Sequence, residues 1–362
     1  MAGGYRCAVA LPGMDEIRAD IESELVDFVA ERAKELNELD PHLEPVARAI
    51  SDYILAGGKR FRPIFAYLGY LGVGGAPDRA VLRACSSLEL VHACALIHDD
   101  LMDGSDSRRN QPAIHKRFEK LHSELSYSGS PINFGAAAAI LLGDLALAWS
   151  DWFLAQSGLE GAVLARSIPI FHEMRAELMA GQYLDLLEGA MATSNRSRSL
   201  QVANLKSGKY SIERPLRFGA AIAGAPESSH LTYSRFGMPL GQAFQLRDDL
   251  LGVFGDPSVT GKPAGDDLRE GKRTVLIAVT IERLPAADQV LLNGSLGNPN
   301  LSAAQIGELQ AMITECGARA ECESIAEELL AKALAALDES DLQPEIASRL
   351  QELAVMAVRR SS

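Results

Sequence analysis

Asp99 and Asp103 stand four residues apart in LIHDDLMDGSDSRRNQP (96–112). On a helix their carboxylates stack one turn apart on a single face. Like charges at that spacing repel, and a divalent cation between them reverses the sign of the interaction. Magnesium is a hard ion that commonly takes one or two protein carboxylates together with substrate phosphates. Arg108 and Arg109 follow the acidic run, and guanidinium groups match phosphate oxygens in a planar fork. A second pair, Asp248 and Asp249, sits in GQAFQLRDDLLGVFGDP (241–257), with Gln245 three residues before Asp248 on nearly the same face. One such pair alone would be a solvated helix end. Two pairs on two apolar helices are hard to explain by solvation, and facing each other they would cage several metal ions and a diphosphate.

More cations stand near glycines. In AGGKRFRP (56–63) two glycines allow a tight turn beside Lys59, Arg60 and Arg62. Alone, that string is equally a helix C-terminus with basic residues favoured by the dipole. Lys206 lies in NLKSGKYS, and Lys262 and Lys272 lie in VTGKPAGDDLREGKRTV. For each of these lysines taken separately, a surface role is the plainer reading.

The elements that must position these groups read as helices. Apolar spacing of three and four marks amphipathic stretches at 17–36 and 45–56. In 80–97 the residues Val81, Leu82, Cys85, Leu88, Val91, Cys94 and Ala95 carry the same pattern, and 136–154, 163–187, 200–223 and 233–253 continue it. Several stretches are apolar nearly all round, as central helices of a large bundle are. Ser302 with Gln305 forms a capping-box pattern, and Pro344 suits the first turn of a last helix. Polar breaks at 193–198 and 293–301 read as loops, not linkers. No alternating strand pattern, hairpin turn or short repeat is evident. The expectation is an all-α protein, one domain over 1–362 with a flexible 1–14, built of ten or more helices.

Composition narrows the class. The chain has 362 residues, 47% of them hydrophobic, and a net charge of −13, which allows a full core and argues against nucleic acid as a partner. No apolar run reads as a membrane span or a secretory leader, so a cytoplasmic location is expected. Cys7, Cys85, Cys94, Cys316 and Cys322 show neither paired nor metal-type spacing and read as reduced, buried thiols.

Six landmarks occur in one order: GGKRFRP, DDLMD with RR five residues on, GQYLDL, KS, FQLRDD and GDPSVTGKPAGDDLREGK. Together they resemble the trans-polyprenyl diphosphate synthases over most of the chain, and most of all the bacterial geranylgeranyl diphosphate synthases. The resemblance implies a helical bundle of the isoprenoid synthase type around a central cavity, which excludes water from a carbocation. It implies condensation of isopentenyl diphosphate with an allylic diphosphate (dimethylallyl, geranyl or farnesyl) by ionisation, condensation and proton loss. The expected cofactor is Mg²⁺, about three ions per site, with Mn²⁺ as a substitute. Asp99, Asp103 and Asp248 would be the metal ligands, supported by Asp100 and Asp249. Arg108, Lys206, Lys262 and Lys272 would grip the allylic diphosphate; Lys59, Arg62, His92 and Arg109 would hold isopentenyl diphosphate. Gln245 and Ser207 would point dipoles at the developing cation, and Gln182 and Asp185 would support. A homodimer is implied, as is a product available to membrane enzymes.

Two positions depart from the family pattern. The usual second DDxxD ends here at Gly252, with Asp256 or Asp266 as candidate replacements, and the usual KT is Lys206–Ser207. Product length follows from the helix below Asp99. Cys94 and Ala95 are small where fifteen-carbon synthases carry bulky aromatics, and a helical turn of about 5.4 Å spans roughly one isoprene unit. The next floor residues are Val91 and Leu88, giving a C20 product, with farnesyl or C25 and longer diphosphates as alternatives. A class I terpene cyclase fits less well, because the second motif differs and GGKRFRP provides for a second diphosphate. Paired acidic motifs of another form are usual in head-to-head synthases. A non-catalytic synthase subunit is favoured by Gly252 alone.

Overall fold

The computed structural model describes residues 11–108, 111–256 and 264–359. Its helices are α1 (Met14–Leu39), α2 (Glu44–Leu55), α3 (Phe61–Gly72), α4 (Arg79–Met102), α5 (Ile114–Glu124), α6 (Pro131–Ala155), α7 (Gly161–Met191) and α8 (Arg196–Ala203). After a π-helical segment, Asn204–Glu213, follow α9 (Arg214–Ala223), α10 (Glu227–Phe254), α11 (Asp266–Glu270), α12 (Val275–Arg283), α13 (Ala286–Ser295), α14 (Ala303–Glu315), α15 (Ala318–Asp338) and α16 (Pro344–Val358). The all-α expectation of ten or more helices therefore holds. One short antiparallel pair, β1 (Ser107–Arg108) with β2 (Gln111–Pro112), corrects the expectation of no hairpin.

Helix starts follow local chemistry. The Asp78 side chain accepts from the N–H groups of Ala80 and Val81 at the head of α4, and Ser130 and Thr274 do the same for α6 and α12. The reciprocal capping box of Ser302 and Gln305 is formed at α14. The single long helix expected over 200–223 is instead α8, the π segment and α9 in succession. Apolar spacing carries no signal for the wider i→i+5 turn.

A continuous hydrophobic core runs from Ile17 on α1 to Val358 on α16. Helix α4 packs on α6 and α3, α10 on α15 and the π segment, and α7 on the π segment and α9. Leu11 packs against this core and the Pro12 carbonyl accepts from Arg349, so the chain is tied down before α1 begins. Helices α4 and α6 are both long and apolar enough to cross a membrane by length and composition, which corrects the reading of no such run. In α4 the apolar stretch is explained by burial in the core. Helix α6 is different. Ile132, Ile140, Leu141 and Trp152 stay exposed on it, and Met179, Tyr183 and Leu186 do so on α7. The all-round apolar character of α6 therefore does not place it at the centre. Cys85, Cys94, Cys316 and Cys322 are free thiols, three of them buried and Cys316 half-buried; Cys7 lies outside the described residues.

Candidate active site

Helix α4 ends in its acidic cluster. Asp99 and Asp100 occupy its last turn, and Asp103 closes it with an N–H bond to the Asp99 carbonyl. Negative side chains at a helix C-terminus oppose the macrodipole, so cations from elsewhere must compensate. Three do. Lys206, on the π segment, places Nζ 3.0 Å from Asp99 and 2.7 Å from Asp185 of α7. Arg108, on β1, reaches Asp99 at 3.2 Å and Asp100 at 2.6 Å. Lys272, past α11, stands 3.2 Å from Asp103, 2.7 Å from Glu270 and 3.8 Å from Asp267. Gln182 of α7 donates Nε2 to Asp99 at 3.1 Å, and the Tyr53 hydroxyl of α2 donates to Asp100 at 3.2 Å.

Electrostatics separates the two carboxylates. Burial pushes Asp99 toward protonation, but Lys206, Lys272 and Arg108 outweigh it and hold this group well below the usual carboxylate range. Asp103 moves the other way, because burial and the charges of Asp99 and Glu270 exceed the help from Lys272. Burial would also discharge Lys206, yet Asp99 and Asp185 keep it raised.

The second pair lies on α10. Asp249 is buried, and its carboxyl is pushed up to about 8 by that burial and by the neighbouring Asp267 and Asp248. Asp248 is half-buried on the adjacent face. Gln245 donates Nε2 to Asp249 at 2.7 Å, so its amide is fixed on the supporting aspartate, a partner the sequence did not indicate. Lys272 links the two clusters: it spans Asp103 and Asp267, and Asp267 lies against Gly252, one turn beyond Asp248. Ser105, two residues past Asp103, donates to Glu270 at 2.7 Å and fastens the same junction.

The basic string divides by surroundings. Gly57 and Gly58 take φ of +80° and +146°, values that need glycine, and the chain then turns into α3. Arg60 faces the core, where it bonds Glu22, Glu89 and the Ile54 carbonyl. Lys59 is exposed above the Phe61 ring. Arg62 stacks on Tyr210 with its guanidinium carbon 4.2 Å from the ring centre and donates to Ser211 at 2.8 Å. His92 Nδ1 lies 2.6 Å from the Tyr210 hydroxyl. Arg62 and His92, far apart in sequence, thus meet on one tyrosine of the π segment. Ser207 is half-buried beside Lys206. Arg109 and Lys262 lie outside the described residues.

Below Asp99, Leu88, Val91 and Cys94 are buried and Ala95 half-buried. His98, directly before Asp99, places Nε2 3.1 Å from the Ile140 carbonyl of α6, with Cys94 Sγ 3.8 Å from Nδ1. Sequence reasoning missed Tyr53, Tyr210, Asp267 and Glu270. The last two stood in plain view inside GDDLREGK, but nothing local separated them from surface charge.

The donor set suits a hard cation: carboxylate oxygens on two helices, with Asp103 Oδ2 buried beside Lys272 and without a hydrogen bond. Among the described residues no group of three or more His, Cys, Asp or Glu is preassembled for a metal. Carboxylates one helical turn apart, as Asp99 and Asp103 are, fit an ion that draws much of its coordination from substrate phosphates and water.

Three comparisons bear on this geometry. Residues 44–313 match the family model described as polyprenyl synthetase. The geranylfarnesyl diphosphate synthase of Aeropyrum pernix is 32% identical over 82% of this chain and 85% of its own length. The (2E,6E)-farnesyl diphosphate synthase of Mycobacterium tuberculosis is 32% identical over 77% of this chain and 75% of its own. Among solved structures, the Corynebacterium glutamicum geranylgeranyl pyrophosphate synthase complexed with isoprenyl diphosphate and magnesium superposes with a TM-score of 0.92. It is 37% identical and covers 96% of this chain and 99% of its own.

Proposed function

The chain belongs to the polyprenyl synthetase family and is a trans-prenyltransferase; from that premise we propose that it condenses isopentenyl diphosphate with an allylic diphosphate and stops at C20, geranylgeranyl diphosphate. One observation carries the reading: Asp99 is paired with Lys206, Arg108 and Gln182, while Lys272 ties its helix to Asp267 of α11, which lies against Gly252 of the second acidic helix.

In this reading Asp99, Asp103 and Asp248 hold Mg²⁺, and Asp100 and Asp249 orient them. Magnesium, when bound, supplies positive charge to the diphosphate that departs from the allylic carbon. Lys206, Arg108 and Lys272 grip the same diphosphate, and Lys262 joins them by family resemblance. Arg62, His92 and Lys59, with Arg109 by resemblance, hold isopentenyl diphosphate. Its alkene then attacks the allylic cation and a proton leaves. Arg62 is already positioned by Tyr210 and Ser211, so little side-chain freedom is lost when an anion arrives. Ser207 and the Gln245 carbonyl are the dipoles offered to the cation, and the buried apolar walls of α4 exclude water from it.

The C20 limit is supported by Cys94 and Ala95, which leave one more isoprene step open than a bulky pair would. The purified chain, supplied with Mg²⁺, labelled isopentenyl diphosphate and dimethylallyl, geranyl or farnesyl diphosphate, is expected to release a C20 product. Product from none of the three primers would instead support a non-catalytic subunit. Cys94→Phe is expected to move the main product to C15, and a C20 product from that variant would remove the floor argument.

A homodimer is part of the proposal, supported by the exposed apolar faces of α6 and α7. Sedimentation equilibrium should return about twice 38.8 kDa. Leu141→Asp, at an exposed position, should shift the mass toward one chain while leaving the helical content intact. A wild-type mass of one chain at all concentrations would rule the dimer out. Cytoplasmic residence is the location the free cysteines favour.

A further inference from the structure

Helix α2 carries none of the residues that the proposed function assigns, yet it sends one hydroxyl to the acidic end of α4. Tyr53, half-buried near the C-terminal end of α2, donates to Asp100 Oδ2 at 3.2 Å, and Arg108 Nε donates to Oδ1 of the same carboxylate at 2.6 Å. Asp100 itself is fully buried. The last torsion of an aspartate has broad wells, so its carboxylate turns unless both oxygens are held. Here they are held from two sides, and the guanidinium that rests on Asp100 is fixed with them. We infer that Tyr53 is a positioning residue for the allylic diphosphate: through Asp100 it sets where Arg108 stands.

Two features of Arg108 make it depend on this relay. Its backbone belongs to β1, a two-residue strand in a two-stranded ribbon whose register pairs Ser107 with Pro112 and Arg108 with Gln111. Such a ribbon is marginal by itself, so side-chain partners must fix the guanidinium. Asp99, a second acceptor at 3.2 Å, is a metal ligand under the proposed function and is shared with a cation there. Asp100, which that reading keeps out of the ligand set, is the partner that stays. Its hold on Arg108 is only as firm as its own orientation, and Tyr53 supplies that.

The inference rests on the proposed function, and the test separates the two. Steady-state rates are measured on the full chain with Mg²⁺, geranyl diphosphate and isopentenyl diphosphate. A wild-type chain without turnover would remove the functional reading and the inference with it; every other failure belongs to Tyr53 alone. Tyr53→Phe is expected to raise KM for geranyl diphosphate about 10-fold, the lower end of the cost of removing a partner that orients a binding group. KM for isopentenyl diphosphate should stay as in wild type. On an Arg108→Gln chain the same Tyr53 change should add almost nothing, because the group it positions is gone. Asp52→Asn is the control: Asp52 neighbours Tyr53 on α2, is exposed, and pairs with Arg117 of α5 at 2.9 Å, a surface contact of little weight. It should leave both constants unchanged, and a rise there like that of Tyr53→Phe would overturn the assignment by pointing to α2 as a whole. An unchanged KM for geranyl diphosphate, equal rises in both constants, or a full effect on the Arg108→Gln chain would overturn it as well. So would a Tyr53→Phe chain that fails to fold, since the hydroxyl would then serve the fold.

Discussion

Asp99→Asn is expected to lower kcat by about 10²–10³-fold or more, the scale lost when one preorganised charge at a developing anion is removed. The amide keeps the shape of the side chain and discards its charge. The fold should tolerate the change, because each cation beside Asp99 keeps another carboxylate. Lys206 retains Asp185 at 2.7 Å and Arg108 retains Asp100 at 2.6 Å. Initial rates with geranyl diphosphate and a thermal melt, measured on the same preparation, separate the effects. The expected result is a melt close to wild type and a rate near background. Turnover like that of wild type would remove Asp99 from the chemistry, however well placed it is.

The largest stability effect is expected thirty-nine residues earlier, at Arg60 inside the basic string. Arg60→Ala should cost about 3–5 kcal/mol, the range for removing one member of a buried ion pair. Arg60 and Glu89 are both nearly inaccessible, and the guanidinium also bonds Glu22 and the Ile54 carbonyl. Alanine would leave the Glu89 charge buried without its partner, on the same helix that carries Asp99. Urea unfolding measures this directly. A midpoint unchanged from wild type would show that water or a neighbouring cation satisfies Glu89 unaided. The contrast lies two residues on: Arg62 stacks on Tyr210 and bonds Ser211, and under the proposed function its loss is expected to lower isopentenyl diphosphate affinity rather than stability.

That contrast marks a limit of reading sequence. Lys59, Arg60 and Arg62 look alike in GGKRFRP; what separates them is Glu22 on α1 and Glu89 on α4, chosen by tertiary packing. The acidic ends of α4 and α10 were legible because spacing of four on a helix makes a physical statement on its own. The cations that meet them were legible only as an ordered set of landmarks. Asp267 escaped notice because its contact with Gly252, fifteen positions earlier, exists only in space. The apolar stretch that became α6 could not be told from a central helix, because apolar composition does not distinguish a buried helix from one with an exposed apolar face.

The π-helical stretch has a hereditary consequence. A deletion of one codon between Asn204 and Glu213 would let the stretch settle to the ordinary α pitch without breaking either flanking helix. The flanking helices would stay close to their present register, while side chains inside the stretch would be displaced around the axis, because the extra residue of the wider turn sets where they point. Lys206 would then leave Asp99 and Asp185, or Tyr210 would leave Arg62 and His92, depending on where the codon was lost. Gly208 and Gly241, which let the two backbones approach, would no longer face each other. Such a descendant would keep almost every landmark in its text and lose the geometry that gives the landmarks meaning.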